Sequence, residues 1–142
     1  MTDRPVTRTD AEWREILTPI QFSVLREGGT ERAFTGKYWQ TRTPGTYVCA
    51  GCRTPLFESD QKYASGCGWP SFFDEIPGDR VEVQVDRSHN MVREEILCAA
   101  CGGHLGHVFP DGPPPTGKRY CVNSASIELV PGAEGEADGS AG

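Results

Sequence analysis

Residues 80–98 read RVEVQVDRSHNMVREEILC, and their alternation decides the fold class. Val81, Val83 and Val85 recur at every second position, the period with which a strand presents one face. Residues 88–90, SHN, offer a turn, and MVREEILC returns as the partner strand and ends on Cys98. An antiparallel β domain is the assignment this hairpin carries. From residue 34 onward the character persists, with short β-rich runs broken by Gly and Pro turns. Upstream, two helix starts are legible: Thr9 with Glu12, and Thr18 with Pro19 at the first helical position and Gln21 as the reciprocal partner. Gly28 and Gly29 end the second helix. Trp13, Ile16, Leu17, Ile20, Val24 and Leu25 are spaced to cover one side of the domain. The expected organisation is a single domain over residues 1–130, helical over 9–28 and β over 34–130. Residues 131–142, PGAEGEADGSAG, have almost nothing apolar to repay their ordering and read as a loose acidic tail.

A chain of 142 residues is long enough to bury a core of its own without disulfide staples. Its 14 Lys and Arg against 20 Asp and Glu give a net charge of −6, which opposes a phosphate backbone as partner. No run approaches a membrane span, and MTDRPVTRTD lacks the apolar stretch of a signal peptide. A cytoplasmic monomer with neither nucleic-acid nor membrane partner is the expectation. In that reducing compartment six cysteines suit metal binding or chemistry better than three structural disulfides.

Four of the six fall into two CxxC pairs, Cys49 and Cys52 in CAGC and Cys98 and Cys101 in CAACGG. Two thiols separated by two residues bind one ion from a tight turn, and two such turns complete a tetrahedral sulfur site, for which zinc is the usual ion. A redox CxxC needs a βαβ setting that this sequence lacks. A mixed site is a third reading, because His104 and His107 follow Cys101 closely, but it strands Cys49 and Cys52.

Cys67 in SGCGWPSF and Cys121 in GKRYCVNSASIELV are left over. On a strand, Arg119, Cys121, Asn123, Ala125, Ile127 and Leu129 share one face. A thiol of pKa about 8.5 is a few per cent ionised at pH 7, and a guanidinium that lowers it by about two units makes a nucleophile of it. A half-buried core cysteine is the competing reading for Cys121. Cys67, between Gly66 and Gly68, sits in a loop-like setting that suits a resolving thiol, one that condenses with a sulfenic acid elsewhere. Trp69 reads as a core aromatic or as the wall of an apolar pocket. His104 and His107 frame HLGH, whose glycine argues for a loop, and each is either a structural polar group or a proton donor near neutrality. The following VFPDGPPPTG reads as a stiff loop that either shapes the rim of a site or only connects.

Both CxxC pairs, SGCGWPSF, HLGHVFPDGP and GKRYCVNSAS, in this order over about residues 10–130, resemble the B-type methionine-R-sulfoxide reductases. The resemblance implies a mainly β fold of two antiparallel sheets with short N-terminal helices, one structural zinc on Cys49, Cys52, Cys98 and Cys101, and reduction of methionine-R-sulfoxide, free or in proteins. It implies Cys121 as nucleophile and Cys67 as resolving cysteine, with a disulfide between them that thioredoxin reduces. It further implies His107 or His104 as acid, Arg119 favouring the thiolate, Asn123 orienting the site, and Trp69 with Phe109 receiving the substrate methyl. Two other classes remain to be distinguished: a zinc-ribbon binding module, which leaves Cys67 and Cys121 without a purpose, and a thiol peroxidase.

Overall fold

A computed structural model describes residues 5–87 and 90–131. Helix α1 spans Asp10–Ile16 and α2 spans Pro19–Glu27, each opened by the reciprocal cap expected from sequence. The Glu12 amide donates to Thr9 Oγ1 at 3.1 Å while the Thr9 amide donates to Glu12 Oε1 at 2.8 Å, and Thr18 and Gln21 repeat the arrangement. Gly28, at φ 74°, closes α2 in the left-handed conformation that glycine adopts most cheaply. Trp13, Leu17, Val24 and Leu25 are buried as expected, and Phe22 joins them. Ile16 and Ile20 depart from the expectation and remain about half exposed. The break at Leu17 and Thr18 starts α2 on a new axis, so one continuous apolar stripe does not run through both helices.

Nine strands follow among the described residues: β1 Gly45–Cys49, β2 Pro55–Glu58, β3 Lys62–Tyr63, β4 Ser71–Phe72, β5 Val81–Asp86, β6 Arg93–Cys98, β7 His104–Phe109, β8 Arg119–Val122 and β9 Ile127–Pro131. They form two antiparallel sheets, ordered β2-β1-β9 and β3-β4-β8-β7-β6-β5. Aromatic rings join the sheets: Phe57 of β2 stacks on Phe72 of β4 at 4.4 Å, and Tyr47 of β1 meets the same ring edge-on at 5.2 Å. Pairs of this kind contribute about 0.5–1.5 kcal/mol beyond the area they bury. Trp13, Leu17, Phe22 and Leu25 close the same core from the helical side.

The 80–98 hairpin forms in the expected register, Val81 opposite Cys98 and Asp86 opposite Arg93; its turn residues Ser88 and His89, and the tail 132–142, lie outside the described residues. Two expectations are corrected. HLGH is the start of a strand, because β7 approaches β8 so closely that a Cβ at Gly106 would strike the Cys121 carbonyl oxygen. Nor does the Cys121 strand continue to Leu129: a 3-10 turn at Ser124–Ser126 breaks the alternation, and the chain re-enters the other sheet as β9. Arg119, Cys121 and Asn123 still share a surface, whereas Ile127 and Leu129 do not belong to it.

Candidate active site and metal centre

The two CxxC pairs occupy equivalent turns. Cys49 ends β1, its carbonyl accepts from the Arg53 amide at 2.9 Å, and its amide donates to the Thr54 carbonyl at 2.8 Å. Cys98 ends β6 and repeats both bonds, with Gly102 at 2.7 Å and Gly103 at 2.8 Å. The fifth residue of each turn is left-handed, Arg53 at φ 71° and Gly102 at φ 78°. The turns face each other, so sulfurs pair across them: Cys49 with Cys101 at 3.7 Å and Cys52 with Cys98 at 3.6 Å. All four sulfurs lie within 4.8 Å of one another. A tetrahedron with metal–sulfur bonds of about 2.3 Å has edges of about 3.8 Å, so the four thiols fit one ion. His104 and His107 have no part in this cluster, which removes the mixed-ligand reading.

Charge and packing around the cluster come from the helices. Arg26 of α2 lies 4.6 Å over the Trp13 ring and donates to the Cys101 carbonyl at 3.0 Å, and the Gly51 amide donates to Cys49 Sγ at 3.4 Å. Donors aimed at ligand sulfur and at the ligand backbone hold such a centre in shape.

Cys121 and Cys67 meet. β4 pairs with β8 so that Ser71 stands opposite Cys121, and the loop before β4 returns Cys67 Sγ to 3.2 Å from Cys121 Sγ. That loop is fastened from the N-terminal side. The Phe34 amide donates to the Gly68 carbonyl at 2.8 Å, and a Cβ at Gly68, φ 91°, would lie 2.8 Å from that of Ala33. Two thiols this close share a proton. The Cys121 hydrogen bond leads, with those of Ser65 and Ser71, in holding the Cys67 thiol down to about 4, while burial opposes them. The Cys121 thiol is pushed up, first by its bond to Cys67 and then by burial, against the pull of Arg119. Arg119 acts on Cys121 in the direction the sequence suggests, lowering it, against the larger effects of the Cys67 bond and of burial. Arg119 directs its guanidinium to Asp111, with Nε donating to Oδ1 at 2.9 Å and Nη2 to Oδ2 at 3.2 Å, and lies 4.3 Å over the Phe109 ring.

Cys121 opens onto a cavity of about 280 Å³ lined by Thr30, Trp69, Arg93, Gly106, His107, Phe109, Arg119 and Asn123. Apolar rings on two sides and cations on the others suit a ligand with a hydrocarbon end and a polar oxygen. His107 stands directly opposite Cys121 in the β7–β8 ladder, and its Nε2 lies 2.8 Å from Asp86 Oδ2, which also accepts from Arg93 at 3.3 Å. His104 is not in the cavity wall. It is buried, its Nδ1 lies 2.6 Å from Glu95 Oε2, and burial, ahead of the opposing pull of Glu95, lowers its pKa. Residues three apart on a regular strand face opposite ways, yet these rings lie 5.7 Å apart. An irregularity in the β6–β7 register, where Gly106 pairs with Ile96 but His104 with Leu97, resets the alternation.

Asn123 is a buried brace. Its Nδ2 donates to the Leu105 carbonyl at 3.0 Å, and its Oδ1 accepts from the Glu31 amide at 2.9 Å. The Glu31 carbonyl in turn accepts from Trp69 Nε1 at 3.0 Å, so the 30–31 segment fixes the indole at the cavity wall. The structure thus gathers Cys67, Cys121, His107, Trp69, Phe109, Arg119 and Asn123 and sets His104 behind them. Asp86, Glu95, Asp111 and Glu31 were not legible as site residues, although Asp86 and Glu95 lie in the hairpin that decided the fold.

Fold and site together define a two-sheet protein with a four-thiol metal-binding cluster and a separate close pair of thiols at a walled cavity. The SelR domain family model matches residues 17–131, and the chain belongs to this family, that of the B-type methionine-R-sulfoxide reductases. A peptide methionine sulfoxide reductase MsrB of Agrobacterium fabrum is 56% identical over 131 residues, covering 92% of this chain and 97% of its own length. Those of Methylibium petroleiphilum and Bradyrhizobium diazoefficiens are 58% and 57% identical over 128 and 130 residues, covering 90% and 92% of this chain and 93% and 94% of their own lengths.

Proposed function

We propose that this chain is a peptide-methionine (R)-S-oxide reductase, an oxidoreductase that returns methionine-R-sulfoxide, free or in proteins, to methionine. The observation that carries the reading is the 3.2 Å approach of Cys67 and Cys121 beside a cavity walled by Trp69 and Phe109. Cys121 reaches its attacking state when the shared proton moves to Cys67 along their hydrogen bond. Its thiolate attacks the sulfoxide sulfur while His107, oriented by Asp86, gives a proton to the oxygen. Methionine leaves and Cys121 holds the oxygen as a sulfenic acid. Cys67 then attacks that sulfur, the proton it took up passes to the departing hydroxyl, which leaves as water, and a Cys67–Cys121 disulfide remains for thioredoxin to reduce. Trp69 and Phe109 take the substrate methyl, Arg119 polarises the site, and Asn123 holds its two sides together. His104 serves as a buried neutral support.

Zinc is the ion that four tetrahedrally spaced thiols, three of them buried and Cys52 half-buried, suit, and when bound it supplies folding energy and no electrons. The chain works as one catalytic domain and as a monomer in the cytoplasm, where the reductant is available. The test is an epimer-resolved assay with thioredoxin, with hydrogen peroxide offered as the competing oxidant. Loss of the R epimer alone is the expected result. Persistence of both epimers would overturn the reading, and consumption of peroxide instead would make the chain a thiol peroxidase.

A further inference from the structure

Residues 28–44, between α2 and β1, belong to no helix or strand, yet they strap together the elements that carry the two thiols. Toward Cys67, the Phe34 amide donates to the Gly68 carbonyl and Trp69 Nε1 to the Glu31 carbonyl. Toward Cys121, the Tyr38 amide donates to Ser124 Oγ at 3.1 Å. Glu31 meets the same turn twice: its amide donates to Asn123 Oδ1, and its Oε1 accepts from the Ala125 amide at 2.9 Å. Glu31 therefore bonds to both sides.

Glu31 is only 6% exposed, and among the described residues its second oxygen, Oε2, has no hydrogen-bond partner. A Cβ at Gly36 would strike both Oε2 and Ser124 Oγ, so the carboxyl lies hard against backbone that only glycine keeps clear. A buried carboxyl oxygen without a donor costs free energy, so stability is a poor account of this placement. Position is a better one. The Trp69 indole is oriented by its bond to the Glu31 carbonyl, and that carbonyl sits on a segment with no strand ladder to hold it. Oε1 fixes the segment to the Ala125 amide, four residues past Cys121. Cavity wall and attacking thiol are thus both referred to Glu31.

A fitted apolar pocket discriminates one added methylene by about tenfold or more, provided its wall does not give. Given the function above, in which Trp69 takes the substrate methyl, we propose that Glu31 is a positioning residue that sets the gap between the Trp69 indole and Cys121, and with it the preference for an S-methyl over a larger S-alkyl sulfoxide. Glu31 does not line the cavity and acts through Trp69. Asn123 keeps its own bonds to the Leu105 carbonyl, from its amide at 2.9 Å and from Nδ2. Loss of the Glu31 side chain therefore leaves Cys121 and His107 paired across β7 and β8.

The experiment follows single-turnover product formation without reductant, which separates substrate affinity from maximal rate, on methionine-R-sulfoxide and on the R-sulfoxide of ethionine. The parent is expected to favour the methyl substrate by about tenfold or more. Glu31→Ala is expected to bind methionine-R-sulfoxide about tenfold more weakly, to keep a maximal rate within about threefold of the parent, and to lose most of its preference over the ethyl substrate. Glu31→Gln keeps an acceptor for the Ala125 amide and is expected to retain the parent's affinity and preference. A parent without preference, an unchanged preference in Glu31→Ala whether or not its rate falls, or a Glu31→Gln as impaired as Glu31→Ala overturns the proposal. Where Glu31→Ala does not fold, Gly36→Ala displaces the carboxyl without deleting it. The same loss of preference is expected there, and an unchanged preference again overturns the proposal. A parent that converts neither sulfoxide overturns the function on which it rests.

Discussion

Six identical side chains form two groups that differ in what balances their charge. In the four-thiol cluster the sulfurs stand 3.6–3.7 Å apart across two rigid turns, the spacing of a tetrahedron's edge, and a divalent ion is the partner they suit. In the pair, Cys67 and Cys121 stand 3.2 Å apart, with Ser65 and Ser71 hydroxyls on Cys67 and a guanidinium near Cys121. One proton between the two sulfurs and hydrogen bonds from one side do for the pair what a cation does for the cluster. The difference teaches that cysteine chemistry here is decided by neighbours: the cluster is closed in on itself, while each member of the pair opens onto its own hollow.

Substitutions break the two groups in different ways. Cys121→Ser should lower turnover by roughly 10³-fold or more with the fold intact, since Cys121 is the thiol that the described cavity wall presents. Methionine release at even a tenth of the parent rate would remove Cys121 from that role. Cys98→Ser should act on the other property, releasing bound metal and lowering stability by on the order of 3 kcal/mol or more, read by metal analysis and denaturant unfolding. Metal retained at one equivalent per chain would show that the cluster is not its site.

A smaller effect tests the shared proton. With Cys67 held down to about 4 and Cys121 pushed up, iodoacetamide at pH 6 should alkylate Cys67 first. Below about pH 4 this selectivity fades as Cys67 takes up its proton. In Cys121→Ser the leading cause of the low value is gone, so the Cys67 alkylation profile should move to higher pH. Earlier alkylation of Cys121 in the parent would reverse the assignment of the proton. The smallest effect compares the two metal turns. Gly102→Ala should cost about 1 kcal/mol, because a Cβ is placed at φ 78°, whereas Arg53→Ala, at a position already left-handed with a side chain, should cost little of that kind.

Much of this was legible in the sequence because it is local. Reciprocal caps, CxxC turns and the 80–98 hairpin depend on residues near one another in the chain, and they stand as read. What escaped reading depends on register. The glycine of HLGH reads as a loop signal, yet Gly106 is required by a neighbouring strand at its closest approach. A register irregularity, invisible in the residue types, brings His104 and His107 to one side and leaves only His107 in the cavity wall. Asp86 and Glu95 look like the polar positions of ordinary strands until the β6–β7 ladder sets them against imidazoles. Arg119 was legible as a neighbour of Cys121, but Asp111, which holds it, lies across a Pro-rich loop whose path no local rule gives.

The central claim is that Cys67 and Cys121 act on substrate as one redox unit while the other four cysteines stay out of the chemistry. Anaerobic mixing of the metal-loaded enzyme with one equivalent of methionine-R-sulfoxide, without reductant, followed by quantitative peptide mapping, tests it most directly. The account predicts one methionine per chain and one disulfide, Cys67 to Cys121, with Cys49, Cys52, Cys98 and Cys101 all still reduced. Methionine formed while Cys67 and Cys121 both remain thiols, or a disulfide within the four-thiol cluster, would contradict it.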